Sequence, residues 1–177
     1  MTTIRGRTIE TLFSEEEIAR EVARMAREIA ATRPDNLLVV AVLKGAFVFA
    51  ADLARALHRE GVAPEVEFIS LSSYGTGTVG GDVRITRDVE GEIAGRHVLI
   101  ADDILESGRT LVFARDLMLQ RGATGAEIAV LLDKHTKRTV AVEADYVGFR
   151  CPDHFVVGYG MDVAHQFREL PFIGRVI

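Results

Sequence analysis

The sequence lacks the features on which several classes of protein depend. It has a single cysteine, Cys151, among 177 residues, which excludes an intramolecular disulfide and a metal site built from several cysteines. No apolar run reaches the length of about 18 residues that spans a bilayer, and the N-terminus is charged and mixed, without the apolar core of a signal peptide. We therefore expect a soluble, cytoplasmic protein with no membrane partner.

The sequence has fewer basic than acidic residues. Asp and Glu number 26 against 21 Lys and Arg, so the net charge is −5. A protein that binds the phosphate backbone of a nucleic acid needs a positive surface, so we expect no nucleic-acid partner. The length, with 48% hydrophobic residues, predicts a single domain over residues 1–177.

Several catalytic signatures are missing. The chain has no G-x-S-x-G, H-E-x-x-H, C-x-x-C or G-x-x-x-x-G-K-[ST] motif, and no two histidines have metal-ligand spacing. A literal G-x-G-x-x-G occurs at Gly75, Gly77 and Gly80, but residues 83–87 alternate like a strand where a dinucleotide site needs a helix. The glycine-rich stretch 72–82 instead predicts a long, flexible β-hairpin loop, and long loops of this kind often act as lids.

What is present is a regular alternation of strand and helix patterns. Ser14 and Glu17 form a capping box that opens a helix ending before Pro34. Residues 36–43 are continuously apolar, as buried parallel strands are. Further strands are predicted at 66–71, 83–87, 96–102, 127–132, 142–147 and 155–159, and further helices at 47–60, 111–120 and 161–168. Alternating β and α units predict a parallel sheet with helices on both faces.

The most informative stretch is 98–110, where an apolar strand ends in acids. Asp102 and Asp103 close the strand, Glu106 follows, and Ser107-Gly-Arg-Thr110 leads into a helix. A strand, small residues and a helix N-terminus form a phosphate site at the carboxyl edge of an α/β sheet. Because three carboxylates repel a lone phosphate, the pattern favours a ligand that also carries ribose hydroxyls and a metal ion.

Two lysines follow other predicted strands at the same edge. Lys44-Gly45 joins the strand 36–43 to a helix and forms a second anion-binding corner. Lys134 follows the strand 127–132. One ligand with a terminal phosphate, a sugar and a second anionic group could bridge all of these positions.

These residues resemble a known family. Asp102-Asp-Ile-Leu-Glu-Ser-Gly-Arg-Thr110 resembles the phosphoribosyl pyrophosphate (PRPP) motif of type I phosphoribosyltransferases. Within this family, the chain resembles the hypoxanthine-guanine branch at six further places: Leu43-Lys-Gly45, Ser73-Tyr74, Lys134, Phe155-Val-Val-Gly-Tyr159, Asp162 and Phe167-Arg168. The resemblance covers nearly the whole chain, in order and spacing. It implies an α/β type I phosphoribosyltransferase fold: a central parallel sheet flanked by helices, a flexible β-hairpin loop, and a small hood formed by segments of roughly 1–15 and 150–177.

The resemblance also implies a role for individual residues. Asp102 and Asp103 would hold the ribose hydroxyls and help place Mg²⁺, and Asp162 would position a second Mg²⁺ beside the base. The 5-phosphate would lie in the loop formed by Glu106, Ser107, Gly108, Arg109 and Thr110. The pyrophosphate would bind to Lys44, Gly45 and Arg168, and the purine would bind to Lys134, Phe155 and Val156. The lid would carry Ser73 and Tyr74. In this family the peptide before the lysine can be cis, which sequence does not reveal.

The implied reaction joins PRPP to a 6-oxopurine and releases pyrophosphate, with Mg²⁺ as cofactor, in purine salvage. Lys134 would donate to the 6-oxo group, which selects hypoxanthine and guanine over adenine. A xanthine-preferring enzyme and a PRPP-fold regulator that binds RNA are the alternatives. By analogy we expect a homodimer or homotetramer, with the first helix and residues 44–57 as interface surface.

Two positions depart from the family pattern. The family usually has Glu-Asp where this chain has Asp102-Asp103, and Asp where this chain has Glu106. The family's third acid faces N7 of the purine, as proton acceptor or hydrogen-bond partner. Glutamate extends this reach by about 1.3 Å. Our hypothesis is that Glu106 is the catalytic proton acceptor.

Overall fold

The computed structural model describes residues 2–4, 6–32, 34–73 and 83–177. This part of the chain contains three α-helices and ten strands. The helices are α1 Glu15–Ala31, α2 Phe47–Arg59 and α3 Arg109–Gln120. The strands are β1 Thr2–Ile4, β2 Arg7–Phe13, β3 Leu37–Leu43, β4 Glu65–Ser73, β5 Val83–Arg87, β6 His97–Leu105, β7 Gly125–Asp133, β8 Tyr146–Arg150, β9 Val156–Val157 and β10 Ile173–Val176.

A six-stranded sheet forms the centre of the molecule, in the order β5-β4-β3-β6-β7-β8. The strands β4, β3, β6, β7 and β8 are parallel to their neighbours, and only β5 at the edge runs antiparallel. The predicted α/β fold with a parallel sheet is therefore confirmed. The predicted loop 72–82 joins β4 to β5, but residues 74–82 lie outside the described part of the chain.

Successive side chains of a strand point to opposite faces, and β3 shows how this builds the two cores. Leu37, Val39 and Ala41 pack in one hydrophobic cluster with the apolar residues of α1 and α2. Leu38, Val40 and Val42 pack in a second cluster with the apolar residues of α3. A strand buried on both faces must be continuously apolar, which explains the run in the sequence.

The first helix begins where its capping box predicts. The Ser14 hydroxyl accepts from the Glu17 N–H at 3.3 Å, and Glu17 Oε2 accepts from the Ser14 N–H at 2.8 Å. These two bonds satisfy donors that a helix start otherwise leaves unpaired. The buried stripe follows at Ile18, Val22 and Met25, and the helix ends at Ala31, before Pro34.

A second sheet, of order β1-β2-β10-β9, was not predicted. Its strands come from both ends of the chain, and β10 pairs antiparallel with β2 and with β9. Ile9, Val157, Phe167 and Leu170 form the small core beneath it. That this sheet acts as a hood over the site remains a prediction.

Two predicted elements were wrong. Residues 161–168 form turns and isolated bridges instead of a helix; Ala164, His165 and Phe167 have positive φ, which a right-handed helix does not allow. The strand predicted at 142–147 begins only at Tyr146, where pairing with β7 starts, and Val142 packs in the core before it. No helix of the described residues is long and apolar enough to cross a membrane.

Candidate active site

A cavity of about 710 Å³ lies at the carboxyl edge of the parallel strands. The structure brings most of the sequence-predicted site residues to its wall: Lys44, Gly45, Asp102, Asp103, Glu106, Ser107, Gly108, Thr110, Lys134, Phe155, Val156, Asp162 and Arg168. Arg109 does not line it, and its Nε donates instead to Thr139 Oγ1 at 3.3 Å. Tyr74 and the side chain of Ser73 lie outside the described residues.

Sequence reasoning missed several lining residues. Ser70, Leu71 and Thr86 come from the antiparallel edge of the sheet, and Met161 and His165 come from the turns after β9. Nothing in their local pattern marks them, because they reach the cavity through strand pairing and a non-helical turn. Their position against the motif residues follows only from the folded topology.

The acid pair lies at the end of β6, almost enclosed by protein. Asp102 is only 8% exposed, and its Oδ1 accepts from the Asp103 N–H at 2.9 Å. Burial raises the pKa of Asp102 well above its ordinary value, and the like charge of Asp103 raises it further. Burial also raises the pKa of Asp103, against the opposing charge of Arg168. The protein alone therefore offsets only part of the cost of burying these two ionised carboxylates.

The Lys44-Gly45 corner lies directly against these acids. The Leu43–Lys44 peptide is cis, a feature that the sequence left open. A Cβ on Gly45 would lie 1.8 Å from Asp103 Oδ2, and a Cβ on Gly160 would lie 2.2 Å from the Gly45 carbonyl oxygen. Only glycine at these positions allows the corner, the acid and the turn after β9 to approach so closely.

The loop 106–110 leaves the start of α3 open to the cavity. Gly108 is the N-cap residue, with φ of 86°, and offers no side chain to the helix N–H groups. A Cβ there would lie 2.4 Å from Val142 Cγ1. The Arg109 N–H donates to Ser107 Oγ at 3.4 Å. The N–H groups of this first turn and the helix dipole make this end a site for an anion, with the Ser107 and Thr110 side chains beside it.

Glu106 and Lys134 form an ion pair inside the cavity. Lys134 Nζ lies 2.7 Å from Glu106 Oε1, and the lysine side chain is 4% exposed while that of the glutamate is 43% exposed. The lysine backbone is held as well, since its N–H donates to the Leu105 carbonyl at 3.0 Å. A buried ammonium with one carboxylate partner and further N–H donors suits recognition of a carbonyl oxygen.

Arg168 and Asp162, also on the cavity wall, form an ion pair. Arg168 NH2 lies 2.8 Å from Asp162 Oδ1, and Arg168 NH1 donates to the Gly160 carbonyl. Asp162 Oδ2 accepts from the His165 N–H at 2.7 Å. Phe155 is 61% exposed while the neighbouring Val156 is buried, so the phenyl ring lies at the cavity rim and is not a core aromatic.

The donor set fits a hard cation held partly by a ligand. No group of three or more His, Cys, Asp or Glu side chains that could hold a metal occurs among the described residues. Mg²⁺ is commonly bound by one or two carboxylates together with substrate phosphates and water. Asp102 and Asp103, two adjacent carboxylates on the cavity wall, have the chemistry for this role.

This fold and this site define a phosphoribosyltransferase: the chain belongs to the phosphoribosyl transferase domain family, which matches residues 8–164. Its sequence is 42% identical to the hypoxanthine phosphoribosyltransferase of Haemophilus influenzae and 41% identical to that of Escherichia coli, in each case over 96% of both chains. The resemblance inferred from the sequence is confirmed.

Solved structures agree. A hypoxanthine-guanine phosphoribosyltransferase from Bacillus anthracis matches with a TM-score of 0.88 and 39% identity, over 97% of this chain and 99% of that one. The Trypanosoma cruzi hypoxanthine phosphoribosyltransferase matches with a TM-score of 0.92 and 38% identity, over 99% of this chain and 95% of that one.

Proposed function

We propose that this protein transfers the 5-phosphoribosyl group of PRPP to hypoxanthine or guanine in purine salvage, giving IMP or GMP and pyrophosphate. The observation that carries the proposal is the buried Lys134 ammonium, which shares one cavity with the acid pair. The lysine would read the 6-oxo group while the acids hold the ribose. The curated relatives named as hypoxanthine phosphoribosyltransferases support the same reaction.

We propose the following roles for the residues. Asp102 and Asp103 accept hydrogen bonds from the ribose 2- and 3-hydroxyls and would hold Mg²⁺, with Asp162 positioning a second ion. Bound Mg²⁺ would supply positive charge to the pyrophosphate as it leaves. The loop Glu106, Ser107, Gly108, Arg109 and Thr110 holds the 5-phosphate, Lys44, Gly45 and Arg168 bind the pyrophosphate, and Phe155 and Val156 hold the base beside Lys134.

The chemistry asks for three things from the chain. C1 of the ribose becomes positively charged as pyrophosphate departs, so the cations Lys44 and Arg168 would stabilise the leaving group. Glu106 would accept the proton from N7 of the purine as the new bond forms. Water must be kept from C1, and a lid that carries Ser73 and Tyr74 would exclude it.

The choice of base tests the proposal directly. Steady-state kinetics with PRPP and hypoxanthine, guanine, xanthine or adenine should give the highest kcat/KM with hypoxanthine or guanine. Adenine should be poorer by about 10⁴-fold, because its 6-amino group presents a donor where the buried ammonium needs a second acceptor. Adenine as the best substrate would overturn the role of Lys134, and xanthine as the best would favour the alternative enzyme. The family comparisons do not favour an RNA-binding regulator.

Substitution of Gly45 tests the close approach of the corner to the acid pair. In Gly45→Ala the new methyl group must displace Asp103, and overpacking of this kind costs about 1–3 kcal/mol. We expect the Kd for PRPP, measured by calorimetry, to rise about tenfold. Gly91→Ala is the matched control, since a Cβ there meets Glu67 at 3.4 Å, an ordinary contact. An unchanged Kd in Gly45→Ala would show that Asp103 does not hold PRPP.

Assembly and location are proposals of the same kind. We propose a homodimer or homotetramer that uses α1 and residues 44–57. A groove of about 610 Å³ runs between α1 and α2, and Phe47 on its wall is 44% exposed. One structural relative, from Trypanosoma cruzi, is described in terms of its oligomeric state. We also propose a cytoplasmic location, because a chain with one cysteine has no disulfide of its own, as is usual for proteins of reducing compartments.

A further inference from the structure

A segment outside the recognised motifs supports the phosphate loop from beneath. The N–H groups of Thr139 and Val140 both donate to the Ser107 carbonyl, at 3.0 and 3.3 Å. Gly108 lies so close to this segment that an added Cβ would meet Val142, Val140 and the Arg138 side chain within 3.3 Å. The conformation of the loop therefore depends on the chain between β7 and β8.

Arg138 makes the strongest of these links. Its NH1 donates to the Glu106 carbonyl at 3.2 Å, and its NH2 lies 2.5 Å from Asp133 Oδ1. Both side chains of the ion pair are nearly buried, at 12% and 11% exposure. One planar guanidinium thus joins the residue after the end of β6 to the last residue of β7.

The two joined residues adjoin the pair that would handle the base. Glu106 itself carries the proposed proton acceptor, and Asp133 immediately precedes Lys134, the proposed reader of the 6-oxo group. The distance between these two side chains decides whether they can contact N7 and the 6-oxo group at once. The pairing of β6 with β7 ends at Leu105 and Asp133, and the Arg138 guanidinium, with its fixed fork of donors, bridges the chain just beyond that point, from the Glu106 carbonyl to the Asp133 carboxylate.

We infer that Arg138 is a positioning residue for purine recognition, acting through the Glu106 carbonyl and the Asp133 carboxylate. This inference rests on the proposed function. A purely structural ion pair is the competing explanation. Buried ion pairs contribute little net stability, because desolvation offsets their attraction, but the loss of one partner is costly, so the test must separate stability from substrate binding. The chemistry of the guanidinium provides a way to separate the two.

Substitution by lysine keeps the charge but removes the bridge. In Arg138→Lys the new ammonium is a point charge that can still pair with Asp133, whereas it cannot span both acceptors in one plane. This variant should therefore retain most of the stability yet lose the hold on the Glu106 carbonyl. Arg138→Gln should lose both. Arg121→Gln is the matched control, because Arg121 makes a two-pronged pair with Asp88 outside the cavity wall.

The experiment measures KM for hypoxanthine and for PRPP separately, kcat per titrated active site, and urea unfolding for wild type and the three variants. In Arg138→Lys and Arg138→Gln, KM for hypoxanthine should rise about tenfold, the value of one charge-assisted hydrogen bond. KM for PRPP should rise much less, because the Thr139 and Val140 N–H groups still hold the Ser107 carbonyl of the phosphate loop. Arg121→Gln should lose some stability and leave both KM values unchanged.

Three results would overturn the inference. Unchanged KM values in Arg138→Lys would show that the bridge does not position the base site. Parallel rises in both KM values that follow the loss of stability would assign Arg138 a structural role only. Wild-type protein that transfers no phosphoribosyl group to any 6-oxopurine would overturn the proposed function, and the inference with it.

Discussion

Replacing Asp102 with asparagine is expected to make the protein more stable at pH 7 and nearly inactive. Burial and the charge of Asp103 raise the pKa of Asp102 in the folded state above its value in the unfolded chain. The folded state therefore binds this proton more tightly, and stability falls as the pH rises from the ordinary aspartate pKa of about 3.9 through the raised value. Asparagine removes the buried charge and with it that loss.

The stability arm is measured by urea unfolding between pH 4 and 8. Asp102→Asn should gain about 0.5–2 kcal/mol at pH 7, the usual size of a single stabilising substitution, and the gain should shrink as the pH falls. Asp88→Asn is a control of opposite sign. The Arg121 guanidinium lowers the pKa of Asp88. The ionised Asp88 carboxylate therefore stabilises the fold at pH 7, and this stabilisation is lost as the pH falls through the lowered pKa. A destabilised Asp102→Asn protein at pH 7 would contradict this interpretation.

The activity arm follows from the proposed role in binding ribose and Mg²⁺. Asparagine is neutral and is a poorer ligand for a hard cation than a carboxylate. We expect kcat/KM for PRPP in Asp102→Asn to fall about a hundredfold, the size of effect seen when one electrostatic contact to a transition state is removed. Asp88→Asn should leave it unchanged. A stable Asp102→Asn variant with full activity would remove Asp102 from the PRPP site.

Glu106→Gln carries the second large expected effect. Glutamine keeps the length of the side chain and an oxygen that accepts from Lys134, so the buried ammonium retains a partner while the proton acceptor is lost. General base catalysis contributes about 10²–10⁴ in rate, and we expect kcat to fall at least by the lower factor. The pH–rate profile of Glu106→Gln should also differ from that of the wild type, since the acid–base group is gone.

The companion variant is Glu106→Asp. It keeps the carboxylate and shortens the side chain to the one usual in the family, so it should retain far more activity than Glu106→Gln. Because the 2.7 Å contact of Glu106 with Lys134 depends on the longer side chain, its KM for hypoxanthine is the informative quantity. An unchanged rate and pH profile in Glu106→Gln would exclude Glu106 as the proton acceptor.

Local and periodic signals predicted the structure correctly, for physical reasons. The capping box placed the start of α1 because it consists of bonds between residues three apart. The continuous apolar run of β3 predicted a strand buried on both faces. Each of these signals involves only residues that are close together in the sequence, where local sequence and local structure correspond most closely.

Long-range structure was predicted less well. The second sheet joins β2 to β10 across almost the whole chain, and no local pattern indicates such a pairing. Residues 161–168 have a composition that allows a helix, yet they form turns in which the Gly160 N–H donates to the Arg168 carbonyl at 3.0 Å. Tertiary contacts decided the backbone there, against a weak helical preference.

The sequence by itself determined the parallel sheet, the acidic strand end and the family resemblance, because these depend on hydrophobic pattern and on residues that are adjacent in the chain. Only the tertiary structure decided how the motifs meet. It set the ion pair of Glu106 with Lys134, the approach of Gly45 to Asp103, and the link from Arg138 to Glu106. These contacts join residues that are 28 to 58 positions apart, so their distances depend on the packing of several strands at one edge.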